Sequence, residues 1–156
     1  MIIMFIKISV LLVYNPTSAW TSFADLLRPS MQTIKNLHVE LFVRDNDDDP
    51  LFHLPSEFEV MRSKNVIESI TIEVVLDTEV DCKPGNGWGR LDELFTKTGW
   101  SALKKLSVAI RIYSYGEREP PIVNESALRK LPETQFVRIS SSKTISFAFE
   151  VTNRSV

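Results

Sequence analysis

At 156 residues, with 44% apolar side chains, the chain has the size of one domain and enough apolar residues for a continuous core; a chain of this length buries roughly 70% of its extended surface. Its 18 basic and 20 acidic side chains leave a formal charge of -2, and neither sign gathers on a predicted helix, which argues against a nucleic-acid groove or a polybasic membrane surface. The single cysteine, Cys82, can form no internal disulfide and no thiolate metal site by itself.

Residues 1–13 are apolar except for Lys7 and Ser9, and Pro16-Thr17-Ser18-Ala19 could end a cleavable signal. The charged segment that opens a secretory signal is missing, because Lys7 lies inside the apolar run. The run is also shorter than the about 20 residues of a membrane-spanning helix. We read 1–19 as containing a buried first strand in which Ile6, Ile8 and Val10 alternate, with a weak signal peptide as the alternative. On that alternative the chain is a small secreted glycoprotein, and the sequons Asn124-Glu125-Ser126 and Asn153-Arg154-Ser155 become relevant.

A helix is predicted over 20–31, with Trp20, Phe23, Leu26 and Leu27 on one stripe and Pro29 weakening its end. An internal repeat then begins. Ile34-Lys-Asn-Leu37-His-Val39-Glu-Leu41, Ile67-Glu-Ser-Ile70-Thr-Ile72-Glu-Val74 and Leu103-Lys-Lys-Leu106-Ser-Val108-Ala-Ile110 share the form apolar-x-x-apolar-x-apolar-x-apolar, with starts 33 and then 36 residues apart. The alternation is that of strands buried on one face. Between them, helical spacing is predicted over 56–63, with Phe58 and Met61 inward. It returns after the turn-prone 84–87, where Leu91, Leu94, Phe95 and Thr98 share a face and Asp92 favours the helix dipole. Trp88 and Trp100 bracket that helix and are expected to pack beneath the sheet. A short helix is predicted over 124–131, bringing Leu128 and Leu131 together. Strand, crossover helix and parallel strand, repeated once per unit, imply an α/β solenoid with parallel strands backed by helices.

At the end, 135–139 and 144–151 are joined by Ser140-Ser-Ser-Lys143, and Ile145, Phe147, Phe149 and Val151 alternate. This predicts an antiparallel C-terminal β-hairpin capping the solenoid, all within one domain, 1–156.

With the apolar positions turned toward the helices, the opposite strand face falls into columns: His38, Thr71 and Ser107; Glu40, Glu73 and Ala109; Phe42, Val75 and Arg111; Arg44, Asp77 and Tyr113. Repeat solenoids use such a face for partners. The candidate partner-binding residues are therefore His38, Glu40, Phe42, Arg44, Glu73, Asp77, Arg111 and Tyr113, with Phe42 and Tyr113 the better anchors.

No constellation suggests chemistry. The acidic run Asp45-Asn46-Asp47-Asp48-Asp49 starts like a calcium loop, but Pro50 stands where the sharp turn needs glycine and Ser56 where the chelating glutamate belongs. It reads as a solvated loop. His38 and His53 are the only histidines, and neither sits in a nucleophile motif. Gly85-Asn86-Gly87-Trp88-Gly89 lacks the Lys-Ser/Thr pair and the spacing of a phosphate cradle, and reads as a flexible connection. No catalytic residue, metal, cofactor or small-molecule substrate is expected.

Trp88-Gly-Arg-Leu91-Asp92-Glu-Leu94, Leu103-Lys-Lys-Leu106-Ser-Val108, Leu128-Arg-Lys-Leu131-Pro132 and the terminal Phe147-Ala-Phe149-Glu-Val151 give the stretch 20–151 its family character. It resembles the leucine-rich-repeat regions of fungal F-box-like proteins. The F-box itself is not seen ahead of the first repeat. The resemblance implies a leucine-rich-repeat-like solenoid that recruits protein substrates for a cullin-type ubiquitin ligase, here as a truncated receptor. The expected class is thus a non-catalytic protein-interaction module, cytoplasmic or nuclear, that binds neither nucleic acid nor membrane.

Overall fold

The computed structural model describes residues 5–10 (backbone), 22–43, 49, 51–77, 85–114 and 123–155. The strands are β1 (Phe5–Val10), β2 (Asn36–Val43), β3 (Ser69–Asp77), β4 (Lys105–Ser114) and β5 (Ser146–Ser155). The helices are α1 (Phe23–Leu27), α2 (Leu54–Met61), α3 (Gly87–Thr96), α4 (Glu125–Arg129), α5 (Leu131–Thr134) and α6 (Val137–Ser140), with a 3₁₀ turn at Arg28–Ser30. The chain is α/β. Its strands form one sheet in the order β1-β2-β3-β4-β5, every pair parallel. At least one helix lies in sequence between each strand and the next, as parallel neighbours require.

The register aligns the repeats with no slip. Leu37, Ile70, Leu106 and Phe147 lie side by side, as do Val39, Ile72, Val108 and Phe149, and Leu41, Val74, Ile110 and Val151. A shift of one residue would turn every one of these side chains to the other face, so burial fixes the alignment. Together with Phe23, Phe58, Trp88, Phe95, Trp100 and Phe136 from the helical side they make a single apolar core. Edge-to-face ring contacts run through it, Phe23 to Phe58 to Phe95 to Trp100, and a second set joins Trp88 to Phe136. Trp88 and Trp100 pack beneath the sheet as their placement around the helix predicts.

Local chemistry sets the helix ends. Ser22 caps α1 by accepting from the Asp25 N–H, and Pro29 turns the next residues into the 3₁₀ segment, so this helix is shorter than the stripe over 20–31 predicts. Trp20 lies outside the described residues. Pro55 sits at the start of α2, where a missing N–H costs nothing, and Phe58 and Met61 turn inward. After α2 and α3 the chain reverses through two left-handed residues, Ser63 (φ 64°) and Gly99 (φ 107°). They meet each other, since the Ser63 N–H donates to the Gly99 carbonyl at 2.9 Å. Corresponding turns of successive units thus touch just as their strands do.

The terminal hairpin is not formed. Residues 135–139, read as its first strand, contain the start of α6, and β5 runs parallel to β4. The cause is tertiary. The buried Asp92 carboxylate accepts the Arg138 and Ile139 N–H groups at 3.1 and 2.8 Å, which caps α6 and withdraws those donors from any ladder. The polar Ser140–Lys143 stretch leads from that helix back into the sheet.

Candidate functional site

The helices cover one face of the sheet, and no described helix covers the other. On that face His38, Thr71 and Ser107 stand in one row, Glu40, Glu73 and Ala109 in the next, then Phe42, Val75 and Arg111, then Asp77 and Tyr113. Seven of the eight residues predicted to bind a partner are therefore brought onto one surface; the eighth, Arg44, lies outside the described residues. β5 extends the rows with Ala148, Glu150, Thr152 and Arg154, a flank the expected hairpin had hidden.

Glu73 is the centre of this face. Its side chain keeps only 12% of its exposure, and two nitrogen-bearing side chains approach it along a diagonal, His38 from β2 and Arg111 from β4. His38 Nε2 is 3.5 Å from Glu73 Oε2, Arg111 Nε is 2.5 Å from Oε1, and an Arg111 terminal nitrogen donates to Oε2 at 3.3 Å. Both His38 Nε2 and Arg111 Nε are hidden from solvent without a well-aligned hydrogen bond. The contacts are close but bent, so the guanidinium does not use its full fork on the carboxylate. Such a network fixes three side chains in place and offsets the like charges that the register sets side by side at Glu40 and Glu73. Glu73 is the polar partner of His38 among the described residues, and no hydroxyl or thiol there is hydrogen-bonded to that imidazole. The arrangement is one of a shaped, charged and aromatic surface, with Phe42 and Tyr113 half-buried beside the ionic centre.

Three further groups of charged residues escaped the sequence reading. At the N-terminal ends of the strands Glu68 holds Lys35 and Lys104, each at 2.9 Å, in a rung that crosses three strands. Hydrogen bonds from Lys104 first, then Lys35, pull its carboxyl down to about 2. The signal was present, since these residues fill the same second slot of the repeat. On the helical side, Glu57 accepts from Ser22 Oγ and from the Ala24 N–H at 2.7 and 3.0 Å, tying α2 to the start of α1. Asp49 does the same for α3, accepting the Gly87 N–H at 2.7 Å. This corrects the reading of the acidic run at that residue. Asp49 is a half-buried helix anchor, not a solvated loop residue; 45–48 lie outside the described residues. Gly85-Asn86-Gly87 is likewise more than a flexible connection, because a Cβ on Gly85 or Gly87 would come within 2.5 or 2.6 Å of Asp49.

A groove of about 270 Å³ between α2 and α3 is lined by Pro55, Ser56, Glu59, Arg90, Glu93, Leu94 and Lys97. Its wall is ionic. Glu93 pairs with Lys97 at 2.8 Å, and that hydrogen bond holds the carboxyl below its usual range. Both sequon asparagines are exposed; Asn124 also caps α4 by accepting from the Ala127 N–H at 3.0 Å. Among the described residues no three His, Cys, Asp or Glu side chains gather as a metal site, and no helix is long and apolar enough to cross a membrane. No family model matches the chain, and no curated protein or solved structure gives a match.

Proposed function

We propose that the chain is a short leucine-rich-repeat-like solenoid that serves as a non-catalytic protein-recognition module, and that the helix-free sheet face is its binding surface. The observation that carries this reading is the unbroken register of Phe42, Val75 and Arg111 and of Asp77 and Tyr113, which sets aromatic and arginine side chains around a fixed ionic centre. Those residue types dominate the energetics of protein interfaces. The sequential order of parallel strands, one unit beside the next, supports the solenoid part of the proposal, because each unit covers its neighbour. The family resemblance extends it to substrate recruitment for a cullin-type ubiquitin ligase.

The test is affinity capture from cell extract with the wild-type chain, with Phe42→Ala/Arg111→Ala/Tyr113→Ala, and with a helix-side control, Val60→Ala/Val137→Ala. Proteins held by the wild type and the control but released by the triple variant, with unchanged circular dichroism, are the expected result. Capture that survives the triple substitution removes this face from consideration. Ligase subunits absent from the face-dependent set remove the ubiquitin part alone.

A further inference from the structure

β5 is the last strand of the sheet and pairs along one edge with β4; no described element pairs with its other edge. Its core side is already served. Phe147 and Phe149 lie against Phe136 with ring centroids 5.2 and 6.2 Å away, and Val151 is buried. What remains is a ten-residue row of main-chain donors and acceptors, a ready template for another strand. On its helix-free face stand Glu150 and Arg154, both exposed and neither with a side-chain partner among the described residues.

We propose that this edge is a self-association surface, at which two copies of the chain pair antiparallel through β5 so that Glu150 of each lies opposite Arg154 of the other. The occupant follows from symmetry and charge. A two-fold axis perpendicular to the sheet reverses the strand direction while keeping each face on its own side, as an isologous dimer requires. Directly opposed side chains in an antiparallel pair share a face and interact. Centring the axis on Thr152 sets Glu150 against Arg154, and symmetry forms that pair twice. Centring it on Glu150 sets two carboxylates together, and centring it on Val151 places Glu150 against Thr152 and Arg154 against Ala148, leaving both charges without a counterpart. A lone acid and a lone base four positions apart on one edge are self-complementary in that single register. The resulting sheet is continuous through both copies, and their helix-free faces lie side by side. This inference stands apart from the recognition role, since it uses the edge of the sheet and not its face.

Sedimentation equilibrium on the full chain, over a wide concentration range at low and high salt, tests it. A reversible monomer–dimer equilibrium that weakens with salt is expected. Glu150→Arg or Arg154→Glu alone turns two attractions into two repulsions and should weaken dimerisation roughly tenfold; Glu150→Arg/Arg154→Glu together should restore it. Near-ultraviolet dichroism of the tryptophans checks that each variant is folded. A monomer at every concentration overturns the proposal. So does a dimer indifferent to either single reversal, or assembly that grows past the dimer, which would mean open-ended pairing of β5 with β1.

Discussion

Two lysines, one from each neighbouring unit, hold the Glu68 carboxylate and depress its pKa from 4.5 to about 2. Because the folded value is the lower one, the unfolded chain takes up the proton first as the solution is acidified. The stabilisation from this rung is therefore complete above about pH 4.5 and is lost as the pH falls toward 2. The expected outcome is that the urea midpoint of the wild type falls more steeply across that window than the midpoint of Glu68→Gln, and that added salt narrows the difference. Parallel slopes would mean that the lysines do nothing for the fold. At this scale the sequence was legible in a simple way: Lys35, Glu68 and Lys104 follow the first apolar residue of each repeat. Glu73 was harder. Its partners lie in the adjoining rows on either side, and a diagonal approach depends on sheet twist and side-chain reach, neither of which the one-letter pattern carries.

The start of α3 shows how a segment is made by a contact from outside it. The Gly87 N–H donates to Asp49, and a Cβ at Gly87 would sit 2.6 Å from the Asp49 carboxylate and 2.9 Å from the Leu51 backbone. Gly87→Ala should cost about 1–3 kcal/mol in urea unfolding, the range for forcing a methyl group into filled space. Gly89, two residues along the same helix, meets only the side-chain end of Gln135, so Gly89→Ala should be neutral or stabilise by up to about 1 kcal/mol through helix propensity. Equal effects at the two glycines would show that Asp49 imposes no steric demand. The strands and the helices of 54–61 and 87–96 were readable because their apolar periods are clean. The expected hairpin differs from the structure because Phe136-Val-Arg-Ile139 is a short β-prone run and Ser140–Lys143 is polar like a turn, whereas the buried pair Phe136 and Ile139, with Val137 exposed, has the spacing of a helix. The distant Asp92 then caps this helix by accepting its first N–H groups. The better signal was Phe147-x-Phe149-x-Val151, which continues the repeat one longer unit away, and Ile3-x-x-Ile6-x-Ile8-x-Val10, which precedes it with the full pattern.

For the molecule as a whole, stability converges on Phe58, which is fully buried and whose ring meets Phe23, Phe95 and Trp100, joining α1, α2 and α3. Phe58→Ala should lower the unfolding free energy by about 3–5 kcal/mol, the range for emptying an aromatic site in a packed core. A loss under about 1 kcal/mol would mean that these helices are held independently of one another. The candidate surface was legible because its columns need only a period of two and an in-phase alignment, and the register supplies both. Its flank on β5 was not, because it depended on the direction of the last strand. That direction has a further consequence for how the protein is made. Each strand pairs with the one completed just before it, and the order of the sheet is the order of synthesis. A nascent chain leaving the ribosome therefore never has to wait for a later segment to complete an earlier pair. Each new strand meets a finished edge, and what lies exposed during translation is one growing margin that the next stretch of chain covers.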